Sequence, residues 1–214
     1  MPNILHVSCS PNGQAAESLR LSRRIVRHLV HRDPSLHVVE RVVGDGSVAH
    51  IDTHYALLQH AASGDVSPGD SAARSEQLIQ ELEQSDVLVI GTPMHNLGLP
   101  SALKSWIDHV VRAGRTFGIS REGKKPLLRD RPVYVAVASG GLFSGERARQ
   151  PDFLTPYLRT ILAQVGLRDL TFFSVEGTAY GTEALDRARS EADLALRSHF
   201  EPRAVDVPVS PPPA

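Results

Sequence analysis

The sequence predicts an α/β fold: a doubly wound, five-stranded parallel sheet with helices on both faces. Three observations predict it. Short apolar runs alternate with segments of helical period five times along the chain, which calls for parallel strands joined by right-handed crossovers. The run Asp86 to Thr92 (DVLVIGT) is apolar at nearly every position, as in a strand covered on both faces. Several runs close in turn-prone stretches such as Ser8-Cys9-Ser10-Pro11-Asn12-Gly13 and Ser139-Gly140-Gly141, where strands feed loops.

The elements follow in order. Ile4 to Val7 is the first strand. Ser18 to Val30 carries Leu21, Ile25, Leu29 and Val30 at helical spacing. Leu36 to Val43 is β-branched and partly alternating, a second strand. Gly44 to Gly69 is rich in Gly, Ser, Asp and His, with room for a short helix over 53–62. Ser71 to Gln84 is a helix with Leu78, Ile79 and Leu82 on one side. Asp86 to Thr92 is the third strand. Pro100 to Ala113 is a helix, with Pro100 in the first turn, where its missing N–H costs little. In it Leu103, Trp106, Ile107 and Val110 make one face, Trp106 in the core or at a subunit contact, and Gly114 closes the helix. Gly118 to Asp130 is a surface hairpin or loop. Pro132 to Ser139 is the fourth strand. Asp152 to Val165 is helical through Phe153, Tyr157, Ile161 and Leu162, stopped by Gly166. Leu170 to Val175 is the fifth strand and Thr182 to Phe200 the last helix. Residues 1–200 therefore read as one domain, and 201–214, with five prolines and no period, as a disordered tail.

Composition narrows the function. The chain has 214 residues, the size of one ordinary domain. Its formal charge is −1, from 23 Lys and Arg against 24 Asp and Glu, so there is no electrostatic case for a nucleic-acid partner. Cys9 is the single cysteine, which forbids an intrachain disulfide and suits a reducing cytoplasm. No segment approaches the ~20 apolar residues that span a bilayer, so no membrane partner is expected. The start, MPNILHVSCSPNG, reads as a strand, not a signal peptide.

In a doubly wound sheet, ligands sit beyond the carboxyl ends of the strands, where strand order reverses. Three loops fall there. Ser8 to Ser18 offers hydroxyls and a helix amino end, which suit a phosphate; the same residues also serve as plain helix caps. It has neither GxxxxGK[ST] nor GxGxxG. A GxGxxA pattern at Gly44-Asp45-Gly46-Ser47-Val48-Ala49 follows the second strand instead, where turn chemistry explains it. Thr92 to Ser101 places apolar residues and two prolines in an exposed loop, which fits a flat ligand or a subunit contact. Ser139-Gly140-Gly141 permits close backbone approach or a simple tight turn. Together they describe a phosphate end, a flat apolar face and an amide-rich edge, the shape of a flavin mononucleotide.

At these residues the chain resembles the FMN-dependent NAD(P)H azoreductase and quinone reductase family of flavodoxin-like fold. Asp86 to Phe117, DVLVIGTPMHNLGLPSALKSWIDHVVRAGRTF, is similar to that family's PMYNF…PS.LK.W.D…RAG.TF block. Ser139-Gly140-Gly141, Thr155-Pro156-Tyr157-Leu158 and Glu176-Gly177-Thr178-Ala179-Tyr180-Gly181 support it, and the likeness runs over about 3–198. The resemblance implies that Ser10 and the Ala16-Glu17-Ser18 turn hold the FMN phosphate. Met94, His95, Asn96 and Leu97 line the isoalloxazine ring, and Ser139, Gly140 and Gly141 meet its polar edge. It implies a homodimer with a site at each subunit boundary, and NADH or NADPH as donor. Quinones or azo compounds are reduced by two electrons in ping-pong order.

Three departures stand out. Ala16 replaces a common serine, His95 the usual tyrosine, and Ser139 an arginine of some members. No side chain is forced into acid or base work; His95 is the nearest proton donor, imidazole being the side chain that titrates near neutrality. Plainer readings cover the rest. His50 and His54, at i, i+4, lack the partners of a metal site. His28 and His31 are solvated, Tyr134 and Tyr180 pack, Cys9 is a small buried side chain, and Lys104 with Asp108 is a surface pair. The alternatives to an enzyme are a flavodoxin-type electron carrier, disfavoured by the lack of acidic net charge, and a flavin-binding protein without turnover.

Overall fold

The computed structural model describes residues 1–58 and 71–201. In chain order it has β1 (Asn3–Ser8), α1 (Glu17–Arg32), β2 (His37–Val42), α2 (Thr53–Leu58), α3 (Ser71–Glu83) and β3 (Val87–Pro93). Then come α4 (Ser101–Val110), β4 (Phe117–Ser120), β5 (Gly123–Pro126), β6 (Val133–Ala138), α5 (Thr155–Val165), β7 (Leu170–Val175) and α6 (Thr182–Phe200). Five strands form one sheet in the order β2-β1-β3-β6-β7, each neighbouring pair parallel. The predicted five-stranded parallel sheet is therefore present. β4 and β5 make a separate antiparallel hairpin, within the stretch read as hairpin or loop.

Period-two alternation divides the strand side chains between two cores. Ile4, Val89, Ala136 and Phe173 face α1 and α6, meeting Leu21, Ile25, Leu196 and Phe200. Leu5, Val7, Leu88, Ile90, Val135 and Val137 face the other layer, meeting Leu78, Leu82, Leu103, Trp106, Leu158 and Leu162. β1 sends α1 outward to β2, whereas β3, β6 and β7 progress the other way. The loops after β1 and β3 thus diverge and leave a crevice between them.

Where boundaries differ from expectation, a side chain decides. α4 ends at Val110 rather than Ala113 because Thr116 Oγ donates to Val110 O (2.7 Å) and accepts from Arg112 N (3.0 Å). α5 begins at Thr155 rather than Asp152, since the Asp152 carboxylate accepts from the N–H groups of Leu154 and Thr155, both at 2.9 Å. Phe153 consequently turns to solvent, 63% exposed, instead of joining the helix face. His28 is not free in solvent; its ring stacks on Phe200 with centroids 5.3 Å apart, and burial holds its pKa below the ordinary value. Tyr134 packs against His199 and Phe200, but Tyr180 is 58% exposed. Trp106 and Cys9 are fully buried, and burial pushes the Cys9 thiol up, away from the thiolate. Lys104 and Asp108 form the surface pair. His50 precedes α2, so it does not share a helical turn with His54. The second half of the helix expected over 53–62 and all but the first residue of the proline-rich tail lie outside the described residues.

Two arginine clusters hold the α3–α4 layer. Arg131, buried, donates to Leu82 O (2.6 Å) and to Ser85 O, capping the carbonyl end of α3. Glu76 on α3 receives Arg112 (2.7 Å) and Arg115 (2.6 Å). Hydrogen bonds from Arg115 hold its carboxyl well below its ordinary pKa of 4.5, at about 2, against the opposing effect of burial. A carboxyl lowered on folding contributes stability above its unfolded pKa and loses it as pH falls through the folded one. Urea midpoints measured from pH 5 to pH 2 are expected to fall for the wild type and to fall less steeply for Glu76→Gln.

Candidate active site

The turn after β1 closes as a short helical turn over Gly13–Ala15, and α1 starts at Glu17. Ala16 is its N-cap and has no side chain to offer, so no side chain caps the helix. The first N–H groups of α1 thus lack the usual Ser, Thr, Asn or Asp partner. Ser18 is 1% exposed, and its Oγ has no hydrogen-bond partner among the described residues. Ser10 Oγ accepts from Asn12 N (3.3 Å), which leaves its own proton to donate. Gly44 backs this turn: a Cβ there would lie 2.3 Å from Ser10 O. The GxGxxA stretch therefore owes its first glycine to close backbone approach, and Gly46 turns at φ +79°. Glu17 faces away from the turn, with its carboxylate held by Arg20 Nε and Arg189 Nε, each at 3.0 Å. The hydrogen bond from Arg189 is the main reason its pKa lies below the ordinary value.

The loop after β3 is a two-residue hairpin. His95 N donates to Gly98 O (3.0 Å) and Gly98 N to His95 O (2.9 Å). Asn96 and Leu97 between them take φ of +47° and +69°, as a type I′ turn requires. His95 and Asn96 are exposed and Leu97 half-buried. Met94 lies beneath, in the core, its N–H on Ala138 O (2.8 Å).

The loop after β6 has its carbonyls engaged. Ser139 O, Gly140 O and Gly141 O accept from Thr178 N (3.1 Å), Ala179 N (3.3 Å) and Gly177 N (3.2 Å). Among the described residues the N–H groups of Gly140 and Gly141 have no acceptor. Glu176 organises the next stretch, accepting from Phe143 N (2.7 Å) and Ser144 N (3.1 Å).

β1, β3 and β6 are consecutive in the sheet, so all three predicted loops lie along one carboxyl edge. A cavity of about 260 Å³ opens between the loops after β1, β2 and β3, lined by Cys9, Pro11, Gly44, His95 and Ser101 among others; the loop after β6 does not line it. A larger one, about 360 Å³, lies instead between β7 and α6 and contains none of the predicted site residues.

Residues 2–200 match the model of a family described as having a flavodoxin-like fold. The chain belongs to that family. A relative from Pseudomonas fluorescens, FMN-dependent NADH:quinone oxidoreductase 4, is 48% identical over 208 residues, 94% of this chain and 98% of its own. FMN-dependent NADH:quinone oxidoreductase 5 from Burkholderia lata is 44% identical over 89% of this chain and 93% of its own. Among solved structures, an azoreductase from Bacillus anthracis superposes with a TM-score of 0.77 at 22% identity, covering 92% of this chain and all of that one. An FMN-dependent NADH-azoreductase of the same species, in complex with FMN, gives 0.75 at 21% identity, covering 93% of this chain and all of that one. These two likenesses concern the fold.

Arg189, Glu176 and Gln150 support the three loops without having been singled out for a role in the sequence. Glu176 carried a signal, an acid one residue past a strand end; the other two come from distant segments. Ser18 yields a test. A buried hydroxyl without a partner costs about 1–3 kcal/mol. In ligand-free protein Ser18→Ala is therefore expected to raise stability by about 1 kcal/mol, read from urea unfolding.

Proposed function

We propose that this protein is an FMN-dependent oxidoreductase that uses NADH or NADPH to reduce quinones and azo compounds in two-electron, ping-pong turnover. The carrying observation is the amino end of α1. The Ser18 hydroxyl there is buried without a partner among the described residues, the amides are uncapped, and the preceding turn carries the Ser10 hydroxyl. That donor set suits a phosphate monoester, because hydroxyls and helix amides bind anions without a lysine. Glu17 takes part through its N–H, since its carboxylate is occupied by Arg20 and Arg189. The two unpaired amides of Gly140 and Gly141 suit a polar ring edge, so the residues present fit FMN.

When bound, FMN supplies the two-electron chemistry between donor and acceptor. Ser10 and the turn Ala16-Glu17-Ser18 anchor the phosphate. His95, Asn96 and Leu97 wall the ring, with Met94 supporting the turn from below. Gly140 and Gly141 donate toward the edge that becomes electron-rich on reduction, the preorganised electrostatics that lower a barrier without reorganisation. His95, exposed on the wall, is the side chain placed to hand a proton to the acceptor.

The protein works as a homodimer in the cytoplasm, with 1–200 as its flavin-binding domain and 201–214 as a tail. Phe153 supports a dimer: its N–H is fixed to Leu97 O (3.0 Å), so a largely exposed apolar ring stands beside the ring wall and suits cover by a second subunit.

The test is an anaerobic absorbance spectrum of the protein with FMN, before and after NADH. The expected result is a bound flavin spectrum that bleaches with NADH or NADPH and returns on adding a quinone. Flavin that binds but bleaches with neither donor means a carrier instead. Ser18→Ala is expected to bind FMN about tenfold more weakly, roughly one lost charge-assisted hydrogen bond.

A further inference from the structure

Nothing in the sequence around Gln150 marks it, yet its side chain ends among three residues of the site. The segment from Leu142 to Gln150 leaves the end of β6 and returns to it. Arg149 N and Gln150 N both bond to Leu142 O, at 2.8 and 3.2 Å, so the excursion is closed at its base. Gln150 Nε2 is 3.2 Å from Ser139 Oγ and 3.2 Å from Met94 Sδ. Its Oε1 lies 2.2 Å from where a Cβ on Gly141 would stand, so the carboxamide presses on bare backbone that only glycine provides.

The hydrogen bonding of this carboxamide is poorly spent. One contact of its N–H₂ is to a thioether, a weak acceptor. Its Oε1 receives no donor among the described residues. Beside it stand the unpaired N–H groups of Gly140 and Gly141. The corner therefore presents several donors and one side-chain acceptor. Backbone amides alone accept any ring edge that carries carbonyls. An acceptor set among them selects an edge in which an N–H lies between two carbonyls, which is the imide edge of a flavin (C2=O, N3–H, C4=O).

We propose that Gln150 is a specificity-determining residue for the flavin, its Oε1 accepting from N3–H while its Nε2 donates to an adjacent ring carbonyl. This rests on the FMN reading above. The chemistry recognised is the imide. A flavin methylated at N3 keeps its phosphate, its ring system and both carbonyls but has lost that N–H.

The experiment titrates the full chain, stripped of flavin, with FMN and with 3-methyl-FMN, following flavin fluorescence. The wild type is expected to prefer FMN by about tenfold, the value of a hydrogen bond whose loss leaves a buried acceptor unpaired. Gln150→Leu removes the carbonyl contact from both flavins but the N3–H contact from FMN alone, so it is expected to weaken FMN about tenfold more than 3-methyl-FMN and the preference disappears. Gln150→Glu keeps an acceptor and is expected to keep the preference while lowering the flavin midpoint potential, since a carboxylate disfavours the anionic reduced ring. A wild type that binds both flavins equally overturns the inference without any variant, and so does a Gln150→Leu protein that keeps the wild-type ratio. A wild type that binds neither flavin overturns the FMN reading itself, and this inference with it.

Discussion

The carboxyl edge of the sheet depends on how closely α1 approaches β3. The contact is made at Gly91, in the middle of the buried strand. A Cβ there would lie 2.5 Å from Ser22 Oγ and 3.0 Å from Ser18 O. Any larger residue lifts the helix off the sheet. Ser22 is fixed in turn: His6 Nε2 lies 2.8 Å from its Oγ, which donates to Leu19 O (3.1 Å). Cys9 N continues the β1–β3 pairing by bonding to Gly91 O (2.9 Å). These contacts bring the first turn of α1 down over the fork between β1 and β3, where Ser18 Oγ and the uncapped amides converge. One glycine on a central strand thus sets the height of the first turn of α1, and the buried cost of Ser18 is the consequence of a helix that cannot back away.

Charge around that turn is arranged by α6. An acid at the first position of a helix favours the helix dipole but repels an incoming anion. Glu17 occupies that position, and Arg189 reaches across from α6 while Arg20 closes from the next turn. Such partly exposed pairs contribute only tenths of a kcal/mol to stability. Their effect is on the field: the Glu17 carboxylate is neutralised, while Asp193 and Asp186 balance the remaining charge of Arg20, Arg24 and Arg189. The first turn of α1 is thereby relieved of the Glu17 charge without a cation being placed at its uncapped amides.

Much of this was legible in the sequence, for a physical reason. Buried parallel strands must be apolar almost throughout, so the runs Asp86 to Thr92, Pro132 to Ser139 and Leu170 to Val175 stand out, and loops that end them are necessarily at one edge. That logic reaches Ser10, Ser18, Asn96 and Gly140 without coordinates. It does not reach Arg189, Gln150 or His6, whose roles exist only once α6, the 142–150 excursion and β1 are folded against their partners. Phe153 shows the limit of periodicity: it sits four residues before Tyr157, as a helix face demands, but Asp152 ahead of it is a capping residue. The cap moves the helix start past Phe153 and puts the ring outside.

The loops after β3 and β6 are mechanically one. Leucine in the left-handed region costs about 1–2 kcal/mol, and Leu97 stays there because both sides of its turn are fixed. The His95–Gly98 pair closes the turn from below. From the side, Phe153 N donates to Leu97 O at 3.0 Å. Three residues earlier on the same strap, Gln150 contacts Ser139 and Met94. Asp152 ties the strap to the start of α5, so it has a rigid anchor. The strained turn on one wall and the carboxamide on the other are thus set by a single four-residue stretch, and neither wall can shift without loading the other. On the FMN reading proposed above, the width of the slot is fixed before the ring arrives, which spares the binding step the cost of ordering two separate loops.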